Sequence, residues 1–435
     1  MLVRARALVG PAGRTIVSNA SAITVTMIVS ALLGYPYWWL AARQYPPAAV
    51  GFAVAVTSAM TLLGSLGVLG LGTFLIAELP RHRGNELTLI VTATAGALLA
   101  AAALGTLFGV AGSLVSVDFA PLASPLPIAL FALGAGLTAA GAVLDQAFIG
   151  LLRGGLQIAR YVLFGVGKLG ALLLVAAVVP TREGLVICLT WVIGTVLSIA
   201  PLLRLNTPAA SNVRALRPDW RLLRGRGRAA AAHHMLNVGL QFPYLALPIL
   251  VTTLLSATDN AYFYSAWTIA NMIFLICGAL TAVLYALGVR EPDALTHHTR
   301  VTLSLGVGLC LLASLSLAVL AEPILTFIFG STYAEHATPV LRVLIFGAFP
   351  LAVVDHYVAL RRIRGETLSA SRLVLLGGFL QLAMAALGAR AGGLVELSLG
   401  WVLGLCVLAV CMAPLVYRAI LPSTPAAPAV LDQAA

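Results

Sequence analysis

Runs of twenty or more apolar residues recur along the whole of this chain. A helix rises 1.5 Å per residue, so about 20 apolar residues cross a hydrocarbon core roughly 30 Å thick. Inside that core every backbone polar group must pair within the chain, which leaves helices or a closed barrel. Barrel strands alternate apolar and polar positions over short segments, and these runs do not alternate. The expected fold is an all-α polytopic membrane protein. Composition agrees: of 435 residues 60% are hydrophobic and only 9% charged, with mean hydropathy +1.01. A soluble surface needs roughly a quarter or more of its residues charged, and a disordered chain is far less apolar.

Twelve spans are expected, at 18–41, 47–77, 88–115, 122–150, 158–179, 184–204, 230–256, 260–288, 301–321, 339–360, 369–389 and 394–420. The N-terminus is basic and then apolar, but its apolar stretch runs through Trp38 and Trp39 without a cleavage site, so it counts as the first span. The longest polar stretch, 205–229, carries six arginines. It divides the chain into a six-helix bundle over 1–205, a basic linker over 206–229 and a second six-helix bundle over 230–420. The Pro/Ala-rich segment 421–435 is expected to be a disordered tail. Five cysteines lie in apolar runs and read as small buried hydrophobes.

The 26 basic residues outnumber the 15 acidic ones. In a membrane protein that excess follows the positive-inside rule and calls for no nucleic acid. With the N-terminus in the cytoplasm, 21 basic residues fall on the cytoplasmic side. Only Arg43, Arg182, Arg342 and Arg390 fall outside, and Lys168 lies within a span. Both termini are then cytoplasmic, the linker is cytoplasmic and Glu322–Pro339 forms an outer loop. The expected location is the cytoplasmic membrane of a bacterium.

A repeat relates the halves. AVLDQAFIGLLRGGLQIARYVL begins at Ala142 and AVVDHYVALRRIRGETLSASRLVL at Ala352. Asp145 and Asp355 are 210 positions apart, Arg160 and Arg372 212. Each half has an even number of spans, so the repeats are parallel, related by a pseudo-two-fold axis along the membrane normal. Gly105/Gly109, Gly150/Gly154 and Gly400/Gly404 have the spacing of close helix packing. Pro36, Pro243, Pro248 and Pro350 are expected to kink their spans.

Enzyme motifs are missing. FGVGKLG around Lys168 lacks the first glycine and the Ser/Thr of a phosphate loop and lies within a span. HExxH and GxSxG do not occur. His233–His234 and His297–His298 are sequence neighbours that point to different helix faces, so no metal site is expected. The first outer loop, ARQYPPAAVG, has no acid of the kind that membrane glycosyltransferases carry, and no loop is large enough for a polymerase. No cofactor is expected.

Ionisable groups within spans are costly and mark function by default. Asp145 with Arg160, and Asp355 with Arg372, flank two hairpin turns at similar distances. Each pair reads either as a salt-bridged hairpin staple or as a coupling-ion site. Lys168 is the only lysine. It sits near the membrane midplane with no acid at its depth. It is expected either to face a wet cavity on the substrate path or to be capped by helix-end carbonyls or a buried hydroxyl.

GYPYWWLAARQYPPAAVGFAVAVTSAMTLLGSLGVLGLGTFLIAELP, from Gly34, resembles the start of polysaccharide-biosynthesis membrane proteins. These are the O-antigen-flippase-like branch of the multidrug/oligosaccharidyl-lipid/polysaccharide exporter superfamily. DNAYFYSAWTIANMI (259–273) is similar to the start of their second half, and 144–170 to their fourth and fifth helices. The resemblance covers most of 15–420. It implies two bundles in a V around an alternating-access cavity, a polyprenyl-diphosphate-linked glycan as cargo, and glycosyltransferases or a polymerase as pathway partners. Lys168, Arg43, Arg160 and Arg342 would then offer cations to a diphosphate. Asn19, Thr24, Ser30, Tyr35, Gln241, Tyr244, Tyr264 and Asn271 would face sugar hydroxyls. An inside-negative potential favours outward movement of phosphate by about 2.3 kcal/mol per charge per 100 mV. A cation-coupled drug exporter of the same superfamily, expected to carry a mid-membrane acid, and a non-transporting assembly scaffold are the alternatives.

Overall fold

The computed structural model describes residues 32–82, 84–204, 217–223 and 228–421. Asn19, Thr24, Ser30, most of the first expected span, most of the linker and the tail lie outside these residues. The described residues form helices and short 3-10 turns, with no strand. In chain order the helices are α1 (32–44), α2 (Pro47–Gly67), α3 (Leu71–Glu78), α4 (Glu86–Val115), α5 (Pro125–Gly150), α6 (Gly154–Val178) and α7 (Gly184–Leu197). The second half adds α8 (Arg228–Leu254), α9 (Ala257–Arg290), α10 (Leu295–Phe329), α11 (Ser331–Leu344), α12 (Ala348–Ile363), α13 (Thr367–Ala391) and α14 (Leu394–Ile420). Among the described residues eleven spans are long and apolar enough to cross a membrane, counting α11 with α12 as one. α1 precedes these eleven, and the described helices form two pseudo-symmetric bundles.

Two boundaries differ from the hydropathy pattern. The expected span 47–77 is broken at 68–70, where Leu69 (φ 52°) and Gly70 (φ 79°) turn the backbone into the left-handed region. The span expected from 339 begins at Ser331, after a break at Gly330. Residues 322–339 are therefore helical, not an outer loop: the segment STYAEHAT is polar enough to read as a loop but buries Tyr333, Ala334 and Ala337. The 3-10 turn Ile345–Gly347 that joins α11 to α12 ends three residues before Pro350, whose ring nitrogen has no proton to give to the carbonyl four residues back.

Small residues set the packing. A Cβ on Gly105 would lie 2.9 Å from Ala132 Cα, and one on Gly400 2.2 Å from the Met384 carbonyl oxygen. Van der Waals contact between backbones replaces the hydrophobic drive that lipid cannot supply.

The hairpins α5–α6 and α12–α13 share one backbone device. Each turn contains a left-handed residue, Leu152 (φ 55°) in the first and Gly365 (φ 73°) in the second. For a non-glycine residue that conformation costs about 1–2 kcal/mol, and Leu152 is an exposed side chain with little burial to lose. Leu152→Gly is expected to stabilise the protein by up to about 1 kcal/mol after the unfolded-state entropy of glycine is counted. Gly365→Leu is expected to destabilise it by a similar amount. Thermal unfolding midpoints of the purified variants check both signs.

Alternate helices turn at the same end. The turns at 45–46, 116–124, 255–256, 330 and 392–393 share one end, here the far end. Those at 150–153 and 364–366 share the near end.

Candidate functional site

The halves meet along α2, which packs on α8 and α9, and along α1, which reaches α9. At the far end the contact is backbone to backbone. A Cβ on Gly51 would fall 1.6 Å from the Ala257 carbonyl oxygen, and Asn260 Nδ2 donates to the Gly51 carbonyl at 2.8 Å. Ser256 caps α9: its hydroxyl accepts from the Asp259 N–H at 3.0 Å and donates to the Asp259 carboxylate at 2.6 Å. The neighbouring unpaired donor, the Ala257 N–H, reaches across to Asp118 Oδ1 at 3.2 Å. Arg43 donates to the Phe327 carbonyl at 2.9 Å. Deeper in the seam Trp38 meets Tyr264 edge to face at 5.2 Å, and Tyr35 donates to the Thr268 carbonyl at 3.4 Å.

Along α9 the closure is one-sided, while α2 and α3 go on meeting α8 toward the near end, where the Leu66 backbone reaches His234. Residues 257–270 of α9 include no exposed residue, whereas from Met272 onward the helix presents Met272, Leu275, Val283, Tyr285 and Val289. Among the described residues, no hydrogen bond or ring contact joins this stretch to the first half.

Arg160 and Asp145 are both buried, 8% and 6% exposed. Arg160 Nε donates to Asp145 Oδ1 at 2.6 Å and Nη2 to Oδ2, a bidentate fork. Its guanidinium also lies 4.5 Å from the Tyr161 ring centre. This pair ties α5 to α6 and is the hairpin staple read from the sequence.

Asp355 and Arg372 do not pair. Asp145 is five residues before the end of α5 and Arg160 six after the start of α6. Asp355 is eight before the end of α12 and Arg372 five after the start of α13. The carboxylate is therefore about 4.5 Å deeper than the guanidinium at 1.5 Å per residue, and Arg372 is exposed. Asp355 lies within electrostatic reach of Arg362, Tyr244 and Cys277. Arg362 itself donates to Asn237 at 2.9 Å. Among the described residues Asp355 has no hydrogen bond or ion pair.

Lys168 is not on the seam between the halves. It is 4% exposed and lies inside the first half. Its ammonium stands 4.2 Å from the Trp191 ring centre, 4.5 Å from Phe164 and 4.7 Å from Tyr37. Phe164 is one turn before Lys168 on α6. Trp191 comes from α7, held close because Gly194 has no side chain: a Cβ there would lie 2.7 Å from Lys168 Cβ. Tyr37 comes from α1, its ring fixed by hydroxyl contacts to the Ile187 carbonyl (3.0 Å) and Thr190 Oγ1 (2.9 Å). A desolvated cation gains up to about 2 kcal/mol per ring, against a burial cost of several kcal/mol. The two are of similar size, so the box makes a buried ammonium tolerable without making it a strong source of stability.

The four expected cavity cations are therefore dispersed. Arg160 is neutralised by Asp145, Lys168 is boxed, Arg43 is at the far end, and Arg342 is exposed and bonded to the Ala318 carbonyl at 3.2 Å. Among the polar candidates Tyr35 and Tyr264 meet the seam, Asn271 is half-buried on α9, Gln241 is exposed on α8, and Tyr244 packs within the second half. Cys188, Cys277 and Cys310 are buried and all five cysteines are free, though the thiols of Cys277 and Cys310 touch at 3.5 Å.

The aromatic box has a counterpart that the sequence also records. Pro36–Tyr37 recurs as Pro243–Tyr244, 207 positions on, and the WVIG of 191–194 recurs as the WVLG of 401–404, 210 positions on. In the second half Trp401 lies 6.3 Å from Tyr244 and 4.9 Å from Trp267. Gly404 admits Gln381 as Gly194 admits Lys168, a Cβ there falling 2.7 Å from Gln381 Cα. These matched residues extend the repeat beyond the two hairpins.

No family model matches the chain, and no curated protein matches it by sequence. Solved structures do. The lipid II flippase MurJ in an inward closed conformation superposes with a TM-score of 0.73 at 11% identity, covering 92% of this chain and 87% of that one. An inward-facing multidrug resistance MATE family transporter of the MOP superfamily gives 0.70 at 15%, covering 92% and 98%. An outward-facing MATE family transporter gives 0.60 at 16%, covering 93% and 95%. The chain has the fold of MOP-superfamily transporters.

Proposed function

We propose that this chain is an alternating-access transporter, not an enzyme, and that it moves a polyprenyl-diphosphate-linked oligosaccharide across a bacterial cytoplasmic membrane. The observation that carries transport is the asymmetry of the seam along α9: Gly51, Asn260, Asp118 and Arg43 close the far end, while α9 beyond Met272 parts from the first half and contact toward the near end passes through α8. With both termini cytoplasmic, the far end is the outer one and the conformation faces inward. The better superposition on inward than on outward structures supports that reading.

The cargo class rests on the resemblance of 34–80 to polysaccharide-biosynthesis proteins and on the likeness to a lipid II flippase structure. A chain with few acids in its spans suits an anionic headgroup, and outward movement of phosphate is downhill in the membrane potential.

One observation favours cation-coupled efflux of drugs. Among the described residues Asp355 is an intramembrane carboxylate without a salt bridge, the residue type such coupling requires. Reconstitution separates the two readings. Proteoliposomes should move a short-chain polyprenyl-diphosphate oligosaccharide, read by lectin or glycosidase access, and should not accumulate ethidium against a sodium or proton gradient. Ethidium accumulation without glycolipid movement would establish efflux in its place.

A further inference from the structure

We infer that the box of Tyr37, Phe164 and Trp191 is a binding site for one monovalent alkylammonium group, and that the chain fills it with its own Lys168 side chain. The three rings approach the ammonium from three different elements, α1, α6 and α7, each at 4.2–4.7 Å. No carboxylate forms an ion pair with Lys168 and no hydrogen bond is made by its ammonium among the described residues. The cation is therefore recognised by ring faces alone, as quaternary and methylated ammonium ligands are in aromatic cages.

The site is built for this occupant. Gly194 removes the side chain that would collide with the lysine stem. Thr190 and the Ile187 carbonyl hold the Tyr37 hydroxyl so that the ring presents its face. In the second half the matched position is the neutral Gln381.

Lys168 is thereby a positioning residue. It draws Tyr37, and with it α1, onto α6 and α7. The next residue, Trp38, carries that placement to Tyr264 of the second half. With its box occupied by a tethered cation, the first half leaves no room there for an exchangeable one. The inference is independent of which cargo is moved.

Two experiments test it, and neither needs a transport assay. Lys168 is the only lysine in the chain, so reductive methylation followed by peptide mass spectrometry reads this one side-chain amine. In the folded wild-type protein it should methylate at least tenfold more slowly than in the Trp191→Leu variant. Equal rates would overturn the box as the amine's environment. Lys168→Ala removes the equivalent of n-propylammonium. Titrating n-propylammonium should raise the unfolding midpoint of Lys168→Ala saturably, with no such shift in wild type or in Lys168→Met, whose side chain fills the box. An equal effect of 1-propanol would show an apolar cavity indifferent to charge and would overturn the proposal. So would a shift of the same size in wild type. Should Lys168→Ala not fold, the methylation comparison decides alone.

Discussion

Arg160→Met is expected to destabilise the protein by about 3–5 kcal/mol, because it leaves the Asp145 carboxylate buried without its cation. Asp145→Leu should cost about the same. The double variant should recover most of the loss, since two apolar side chains of similar volume replace a desolvated pair whose own net contribution is small. The pair is a bidentate contact at the base of one hairpin, with both residues less than a tenth exposed. Unfolding midpoints of the two singles and the double give the coupling energy directly. Additive losses would mean that each side chain is satisfied by something other than its partner. Asp355→Leu, by contrast, breaks no ion pair and should stabilise or leave stability unchanged. Arg372→Met, an exposed change, should stay within about 0.5 kcal/mol.

Gly51→Val is expected to abolish transport while the protein still folds. Its side chain would occupy the space of the Ala257 carbonyl, which lies 1.6 Å from where the Cβ must go. No rotamer avoids this, because the collision is at Cβ and the opposing atom is backbone. The far-end closure is lost, and the population moves to conformers in which α2 and α9 have parted. A penalty of about 5.5 kcal/mol suffices to carry a two-state equilibrium from 99:1 to 1:99. Accessibility of a cysteine at Ala261 to an impermeant thiol reagent from the far side should rise from protected to fully labelled. Transport at the wild-type rate in Gly51→Val would show that this contact is not part of the cycle.

Much of the fold was legible because lipid imposes length and polarity on every span. The breaks were not. Leu69 and Gly70 sit inside a continuous apolar run, and hydropathy carries no record of a positive φ. The start of α11 was hidden for the opposite reason, its polar residues masking a buried stripe of Tyr333, Ala334 and Ala337.

For the site, depth was readable and direction was not. Residue spacing from a turn places Lys168 near the midplane, but it does not say which neighbour its helix face meets. The aromatic residue one turn earlier, Phe164, and the recurring WVxG pattern were the available signals. The second hairpin failed as a staple because Asp355 and Arg372 stand eight and five residues from their helix ends, a three-residue offset that similar spacing in sequence does not reveal. Asp145–Arg160 succeeded because the two residues are at one depth, measured from the helix ends rather than from the sequence midpoint.

The far-end seam is expected to open and close in each transport cycle. Asp118 and Ala257 face each other across it, joined by the 3.2 Å contact between carboxylate and N–H. The measurement is transport by reconstituted Asp118→Cys/Ala257→Cys protein, with exposed Cys411 replaced by serine, before and after disulfide formation. Oxidation should reduce movement of the lipid-linked oligosaccharide to the rate of protein-free vesicles, and reduction should restore it. Unchanged transport by fully cross-linked protein would show that the seam stays closed throughout the cycle.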